Sequence, residues 1–298
     1  MDSKDWKQNP IFFYAMILLS MVFWGSSWVS SKLMVADISP AILVFWRFVF
    51  TFISFIPLVF IFKADLKLNR VSFLWLAGSA ILLCIYYALF FKGLITAMPG
   101  AAGVLLTTTS PLFTFLISGL FYQRRFEKKD FLGLLLGLAG GLILLKFWSW
   151  NFGDIVRSGN FIILIAGVVW SLFTIFGQKA QKNQGLFAYS FWLYAFSTFL
   201  SFIFAVPAGA FQLKAIPFFV WANLIYLAIF STTFANTVYL LGSKRLGAHK
   251  VGSFMFLVPV NALLFSFIFM HEIPAWYTLA GGVIAMAAVY IIQYRKSA

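Results

Sequence analysis

The chain has 298 residues, of which 62% are hydrophobic and only 10% are charged. Soluble domains carry about a quarter charged residues, so this composition excludes an ordinary soluble protein and indicates a polytopic membrane protein. One cysteine and 2 histidines far apart in sequence exclude a disulfide framework and offer no metal-ligand spacing. We therefore expect no metal and no cofactor.

Ten apolar segments can be drawn along the chain with windows of about 20 residues, the length that crosses a bilayer as a helix. Each gap between them holds a helix breaker or a charge. The segments cover residues 11–34, 40–63, 72–92, 97–122, 130–147, 159–179, 186–207, 217–241, 247–270 and 274–293. The sequence thus predicts an all-α polytopic fold with ten transmembrane helices.

The net charge of +14 comes from Lys and Arg residues that lie almost entirely between the apolar segments. There they act as topology signals, so we expect no nucleic-acid partner. With the N-terminus inside, 16 of the 22 basic residues fall in cytoplasmic segments and 5 in outer ones. This bias predicts that both termini are cytoplasmic. The first segment is too long for a cleavable signal peptide and lacks an A-x-A exit.

Tryptophans and prolines recur at about half the chain length, which predicts an internal repeat. Residues 1–150 would form the first five-helix repeat and residues 151–298 the second. Because five is odd, the second repeat would enter the membrane inverted, an arrangement typical of alternating-access transporters with a site near the midplane. Chance matching in an aromatic-rich chain is the alternative. The matched residues are Trp24 with Trp170, Trp46 with Trp192, and Pro111 with Pro259.

The first apolar segment ends in a face that a lipid-facing helix would not need. Trp24, Ser27, Trp28 and Ser31 follow one another at helical spacing, so one face carries two indoles and two hydroxyls. Small and polar residues inside an apolar span usually face another helix or a cavity. We therefore place Trp24 and Ser27 in a candidate binding site.

Arg47 lies inside the second segment, about 10 Å into the helix that starts at Pro40, at roughly 1.5 Å per residue. A guanidinium there must be paired, hydrated or snorkelling. In a functional role it would bind a substrate carboxylate or form a hydrogen bond of a gate. In a structural role it would donate to backbone carbonyls that lack a helical partner. No acidic residue lies deep in a segment, and Glu272 is at an outer end. Exchange or facilitated flux is therefore at least as favoured as proton coupling.

Pro111 interrupts a run of hydroxyl residues in the fourth segment, and Pro259 occupies the matching place in the ninth. A proline removes the helical partner of the carbonyl four residues earlier, here that of Thr107. The hydroxyls of Thr107, Thr108 and Ser110 would compensate or offer polarity to a ligand. A single proline more often only shapes packing. Two at corresponding positions favour paired hinges along one cavity.

Other candidate lining residues combine aromatic and polar side chains on one helical face. An aromatic stripe alone is more often packing or an interfacial belt, but polar neighbours favour binding. Such a lining suits an amphipathic solute, or an organic cation held in an aromatic cage. The candidates are Tyr86, Tyr87 and Phe90 in the third segment, Trp170 and Thr174 in the sixth, Trp192 in the seventh, Asn236 and Tyr239 in the eighth, and Phe256 in the ninth.

The fifth and tenth segments carry glycine pairs, Gly140-Gly141 and Gly281-Gly282, and Gly133 and Gly137 form a GxxxG motif. These glycines have no phosphate-binding context. They predict close helix packing, either within one chain or between two. A homodimer is therefore an open alternative.

Several motifs in a fixed order resemble the EamA-type family of ten-helix exporters in the drug/metabolite transporter superfamily. The resemblance implies two inverted five-helix halves around a central cavity, and export of metabolites, amino acids or drugs across a bacterial inner membrane. The second half departs from the first where Ser171 follows Trp170 in place of a glycine. The matching motifs are Trp24-Gly25-Ser26-Ser27-Trp28, Trp46-Arg47-Phe48, Thr109-Ser110-Pro111, Val258-Pro259-Val260 and His271-Glu272.

These features together predict a secondary transporter, of exporter type, for small amphipathic metabolites such as amino acids. Its partners would be the small-molecule substrate and the lipid bilayer. Transport of organic cations or drugs is the second alternative. An intramembrane enzyme would need a nucleophile–base or metal constellation within the segments, and none is present in the sequence. A channel would be distinguished by flux without counter-transport.

Overall fold

The computed structural model describes residues 10–121, 128–146, 148, 159–181, 184–246, 251 and 254–293, and within these ranges the chain is helical without strands. These ranges contain ten main helices in succession. They are α1 (Pro10–Val35), α2 (Pro40–Ile61), α3 (Arg70–Thr96), α4 (Pro99–Phe121), α5 (Lys128–Leu144), α6 (Gly159–Ala180), α7 (Leu186–Ala205), α8 (residues 218–246), α9 (Leu257–Met270) and α10 (Trp276–Gln293).

Seven of these helices, α1–α4 and α6–α8, are long and apolar enough to cross a membrane. The other three are shorter apolar helices, and α9 is extended by a 3₁₀ turn at Phe254–Phe256. The 17 residues of α5 span about 26 Å, slightly less than the roughly 30 Å hydrocarbon core of a bilayer. The predicted all-α polytopic class is confirmed, with three apolar helices shorter than the other seven.

The helix breakers noted in the sequence do mark helix starts. Pro40 and Pro99 are the first residues of α2 and α4, where a missing N–H removes no helical hydrogen bond. At the start of α3, the Asn69 side chain accepts a hydrogen bond of 2.7 Å from the backbone N–H of Ser72. This N-cap supplies one of the partners that the first turn lacks.

The first five helices pack mainly against the last five. The closest pairings are α2 with α7, α3 with α6, and α5 with α10, while α4 contacts both α6 and α9, and α1 contacts both α8 and α9. Contacts among α1–α5 themselves are much less extensive. The two halves of the chain therefore share one interlocked helical bundle.

Two of the helix pairs that cross the bundle run antiparallel, α2 with α7 and α4 with α9. Along α2 and α7, the rings of Phe62 and Phe187 stack at 4.1 Å at one end, and those of Phe45 and Phe202 lie 6.0 Å apart at the other. The same order holds for α4 and α9, because Gly100 lies against Ser266 and Gly103 against Ala262.

Glycines bring α5 and α10 into backbone contact. A Cβ atom added at Gly140 would lie 2.9 Å from both the Gly281 carbonyl oxygen and the Ala285 nitrogen. A Cβ added at Gly281 would lie 2.9 Å from the Gly140 carbonyl oxygen. Gly137, on the same helix, faces the Leu112 side chain. These glycines thus mediate packing within one chain, the first of the two alternatives.

We expect the Gly140→Ala substitution to lower the thermal unfolding midpoint of the detergent-solubilised protein. The added methyl group would meet backbone atoms of α10, and overpacking of this kind costs about 1–3 kcal/mol. Gly141→Ala is the matched control, since its Cβ would contact only the Thr109 methyl group at 3.8 Å. Equal midpoints for the two variants, measured by size-exclusion chromatography after heating, would contradict this packing.

Candidate functional site

The middle of α8 departs from α-helical geometry. Residues Leu227–Phe234 form a π-helix between the α-helical parts Phe218–Tyr226 and Ala235–Leu246. A π-helix is rare, widens the helix, and often occurs at functional sites. This segment carries three consecutive hydroxyl residues, Ser231, Thr232 and Thr233, all buried. Polar groups therefore concentrate at the centre of an apolar helix.

The π-helical segment is hydrogen-bonded to two helices of the first half. The Trp24 indole N–H donates to the Ser231 carbonyl at 2.9 Å. The Ser54 and Thr233 hydroxyls lie 2.5 Å apart. These bonds connect α8 to α1 and α2.

Trp24 lies at the centre of one group of predicted residues. Its ring is 5.3 Å from that of Tyr239, whose hydroxyl donates to the Met255 sulfur at 3.2 Å. The Ser27 hydroxyl donates to the Trp24 carbonyl at 2.6 Å, so it is already satisfied within α1. The structure thus brings Trp24 and Tyr239 together, with Ser27 one turn along α1.

Arg47 is 5% exposed and makes a single side-chain hydrogen bond, from Nη2 to the Thr232 hydroxyl at 3.3 Å. Its guanidinium carbon lies 4.5 Å from the centre of the Tyr87 ring, a cation–π distance. Nε and Nη1 are buried and have no hydrogen-bond partner. No carboxylate among the described residues forms an ion pair with it, and no group of His, Cys, Asp or Glu in that part of the chain could hold a metal.

An aromatic cluster extends from Arg47 across α3 to α6 and α1. The Tyr87 and Tyr86 rings lie 4.9 Å apart, and Tyr86 is 4.7 Å from Trp170. Phe90 lies 5.8 Å from Tyr86 and 4.9 Å from Trp28. We call this set, with Arg47, the central cluster. It contains residues of both halves, and most of its members are buried.

The hydroxyl run of α4 lies beside α6. The Thr107 and Thr108 hydroxyls donate to the carbonyls of Gly103 and Val104, four residues earlier, at 2.6 and 2.7 Å. They therefore do not compensate the Thr107 carbonyl, which was one of the two roles predicted for them from the sequence. The Ser110 carbonyl accepts from the Ser171 hydroxyl at 2.9 Å, while the Ser110 hydroxyl is buried without a partner.

Thr174 and Asn236 are half-buried. Thr174 lies one helical turn beyond Trp170 of the central cluster, and Asn236 one turn beyond Thr232, the partner of Arg47. The Thr174 hydroxyl donates to the Trp170 carbonyl at 2.9 Å. Asn236 follows Thr232 by four residues on α8 and therefore lies one turn along the same face.

Three predicted residues lie apart from the central cluster. The Trp192 indole N–H donates to the Leu66 carbonyl, in the connection between α2 and α3, at 3.0 Å. Phe256 packs beside a small apolar cluster that contains Leu112. Pro259 is in the first turn of α9, whereas Pro111 is in the interior of α4. The two prolines thus occupy different places in their helices.

The tryptophan that matches Trp192 makes the reciprocal contact. The Trp46 indole N–H donates to the Ala210 carbonyl, in the connection between α7 and α8, at 2.9 Å. Trp46 and Trp192 are 146 residues apart, and their acceptors Leu66 and Ala210 are 144 apart. Each half therefore holds a connection of the other through an equivalent hydrogen bond.

The central cluster is packed shut in this structure, with Tyr86 at 6%, Tyr87 at 7% and Phe90 at 4% exposure. A groove of about 390 Å³ lies elsewhere, between α4, α9 and α10, and is almost wholly apolar. Another pocket lies at the start of α3. Neither contains a member of the cluster.

Sequence reasoning missed several residues that border the cluster. Ser54, Ser231 and Thr233 join α2 and α1 to the π-helical segment, and Tyr194 of α7 stacks 5.7 Å from Phe55. Three consecutive hydroxyl residues in an apolar span were the available signal for the π-helical segment. No local pattern marked Tyr194, because a tyrosine on a buried face is common.

Known proteins similar to this chain are transporters. An uncharacterized transporter of Archaeoglobus fulgidus is 25% identical over 95% of this chain and 98% of its own length. The uncharacterized transporter YyaM of Bacillus subtilis is 28% identical over 85% of both chains. A protein of Salmonella typhimurium described as a probable amino-acid metabolite efflux pump is 25% identical over 92% of both chains.

The fold is also similar to that of a solved crystal structure. That structure has a TM-score of 0.63 at 18% identity and covers 92% of this chain and 94% of its own. The family model of the EamA-like transporter family matches twice, at residues 11–146 and 157–294. These matches confirm the resemblance to the drug/metabolite transporter superfamily, and the chain belongs to the EamA-like transporter family.

Proposed function

We propose that this transporter is a secondary transporter that moves small amphipathic metabolites, amino acids first, across the bacterial inner membrane. The observation that carries the proposal is the central cluster, in which a buried guanidinium and aromatic rings from both halves meet. Aromatic faces suit an apolar body, and a few polar groups suit its orientation. The Salmonella relative's description as an amino-acid metabolite efflux pump gives further support.

An inverted repeat of two five-helix halves, residues 1–150 and 151–298, would supply the mechanism. The antiparallel course of α2 with α7 and of α4 with α9 is what inversion requires. The reciprocal Trp46 and Trp192 hydrogen bonds add support. In such proteins, rocking of one set of helices against the other exposes the site to each side in turn.

The closed cluster fits an occluded step of this cycle. The contacts Trp24–Ser231 and Tyr86–Trp170 occupy matching positions in the two halves. Trp24 and Trp170 are 146 residues apart in sequence, and their partners Ser231 and Tyr86 are 145 residues apart. Alternating access would loosen one of them while the other stays packed. The substrate would then enter between α1 and α8 from one side, or between α3 and α6 from the other.

Organic cations and drugs are the second candidate class, favoured by the number of aromatic rings that could hold a cation. The Arg47 guanidinium weighs against them. Its positive charge lies within the same group of rings, 4.5 Å from the Tyr87 ring centre. Repulsion between like charges is strong at low dielectric constant. Amino acids therefore rank first.

Reconstituted protein should show saturable, trans-stimulated entry of a labelled apolar amino acid into proteoliposomes preloaded with unlabelled amino acids. Counterflow of this kind requires a binding site that reorients across the membrane with substrate bound, so a channel would not produce it. Trans-stimulated entry of a quaternary ammonium dye, with no amino-acid counterflow, would move the proposal to the second class.

Asn236→Ala and Trp24→Phe should each lower counterflow efficiency by about tenfold. This change corresponds to about 1.4 kcal/mol, which is the loss expected for one hydrogen bond. Trp24→Phe keeps an aromatic ring but removes the donor to the Ser231 carbonyl. Trp276→Phe is the matched control, because Trp276 is 67% exposed and lies outside the central cluster. Wild-type flux in the first two variants, at equal expression and folding, would remove both residues from the site.

A cysteine introduced at Lys63 should react with a membrane-impermeant maleimide only from the cytoplasmic side, and one at Lys214 only from the outer side. Lys63 follows α2 and Lys214 precedes α8, and both are exposed. The positive-inside bias gives this orientation. The background would be Cys84→Ser, which removes the single native thiol. Labelling from the opposite sides would reverse the proposed orientation of both termini.

A further inference from the structure

The Arg47 guanidinium is a buried charge whose hydrogen-bonding capacity is mostly unused. Arg47 is 5% exposed, and the one hydrogen bond of its guanidinium, to the Thr232 hydroxyl, is long at 3.3 Å. The N–H groups at Nε and Nη1 have no acceptor. A buried charge is costly unless it is paired and hydrogen-bonded. This structure therefore presents a cationic group that lacks an anionic partner.

Among the residues that the structure describes, the groups around Arg47 do not supply that partner. The Thr51 hydroxyl, one turn along α2, donates to the Arg47 carbonyl at 2.8 Å and is committed to its own helix. The Tyr87 ring lies 4.5 Å from the guanidinium carbon, and Tyr86 and Tyr194 are within electrostatic range of the charge. Neutral rings stabilise a cation only weakly compared with a carboxylate.

We propose that Arg47 binds the carboxylate of the transported molecule, so that the protein selects carboxylates attached to an apolar or aromatic body. This inference rests on the proposed function and names its substrate class. Arginine matches a carboxylate with paired N–H donors in a plane. The aromatic rings of Tyr86, Phe90 and Trp170 continue away from the guanidinium and receive the apolar body.

The charge of the site favours a monoanionic group over a phosphate dianion. Arg47 is the one basic residue of the central cluster. The nearest basic side chain of α1, that of Lys32, donates instead to the Leu94 and Ile95 carbonyls at 2.7 and 3.0 Å, at the end of α3. A single guanidinium balances one negative charge, and a second negative charge would be buried without a partner.

The test uses isothermal titration calorimetry on the purified full-length protein in detergent, with acid and amide pairs of the same shape. The probes are phenylacetate with phenylacetamide, and indoleacetate with indoleacetamide. In the wild-type protein each acid should bind at least about tenfold more tightly than its amide, as expected for charge-assisted hydrogen bonds. Equal affinities, or no binding of either acid, would overturn the proposal.

Arg47→Gln should abolish the preference, so that the acid and the amide bind with about equal affinity. Arg47→Lys keeps the charge but loses the planar fork, and we expect an intermediate preference. Arg70→Gln is the matched control, because it is the same substitution at an exposed arginine at the start of α3. It should retain the wild-type preference. A preference that survives Arg47→Gln would also overturn the proposal.

Counterflow separates this inference from the proposed function. Acid preference that depends on Arg47, without trans-stimulated amino-acid entry, would leave the carboxylate site standing and remove the proposed transport of amino acids. Trans-stimulated entry that is equal for wild type and Arg47→Gln would leave the transport function standing and remove the carboxylate site. The wild-type comparison of acid with amide needs no variant, so a failure of Arg47→Gln to fold does not obscure the result.

Discussion

Helices in a bilayer gain no hydrophobic free energy by leaving lipid for one another, so close packing and buried polar contacts must hold this bundle together. The chain meets that constraint across its two halves. Backbone contact at Gly140 and Gly281 joins α5 to α10, and hydrogen bonds from Trp24 and Trp46 join the first half to α8 and to the connection before it. Because these contacts cross between halves, the main apolar core of the described residues is shared by both. The proposed movement of one half against the other would therefore exchange contacts within the shared interface.

The same interface contains the polar groups of the proposed binding site. The π-helical segment of α8 contacts α1 through the Ser231 carbonyl and α2 through the Thr233 hydroxyl. Its Thr232 hydroxyl accepts the one side-chain hydrogen bond of Arg47. Burying a charge that is mostly unpaired costs free energy, and binding of an anion offsets that cost. Under the proposed carboxylate binding, the energetic cost of the unpaired charge would become selectivity for the ligand that offsets it.

Much of the fold follows from the sequence because bilayer thickness and helix breakers act locally. Pro40 and Pro99 give the starts of α2 and α4, and the tryptophan pairs point to the cross-half contacts. The site is harder to predict, since an indole at a helix end and one beside a binding site have the same sequence pattern. Trp170 joins the central cluster, whereas Trp192 binds the α2–α3 connection. Only tertiary packing separates the two.

The sharing of one interface by both halves also bears on how the protein is made. Chains grow from the N-terminus, so α1–α5 are synthesised before α6–α10, which include their main partners. During that interval the Gly140 face is bare, and the charge of Arg47 lacks even its bond to Thr232. The Arg47 guanidinium gains its hydrogen bond only once α8 has been added, and the Gly140 face is covered only once α10 follows.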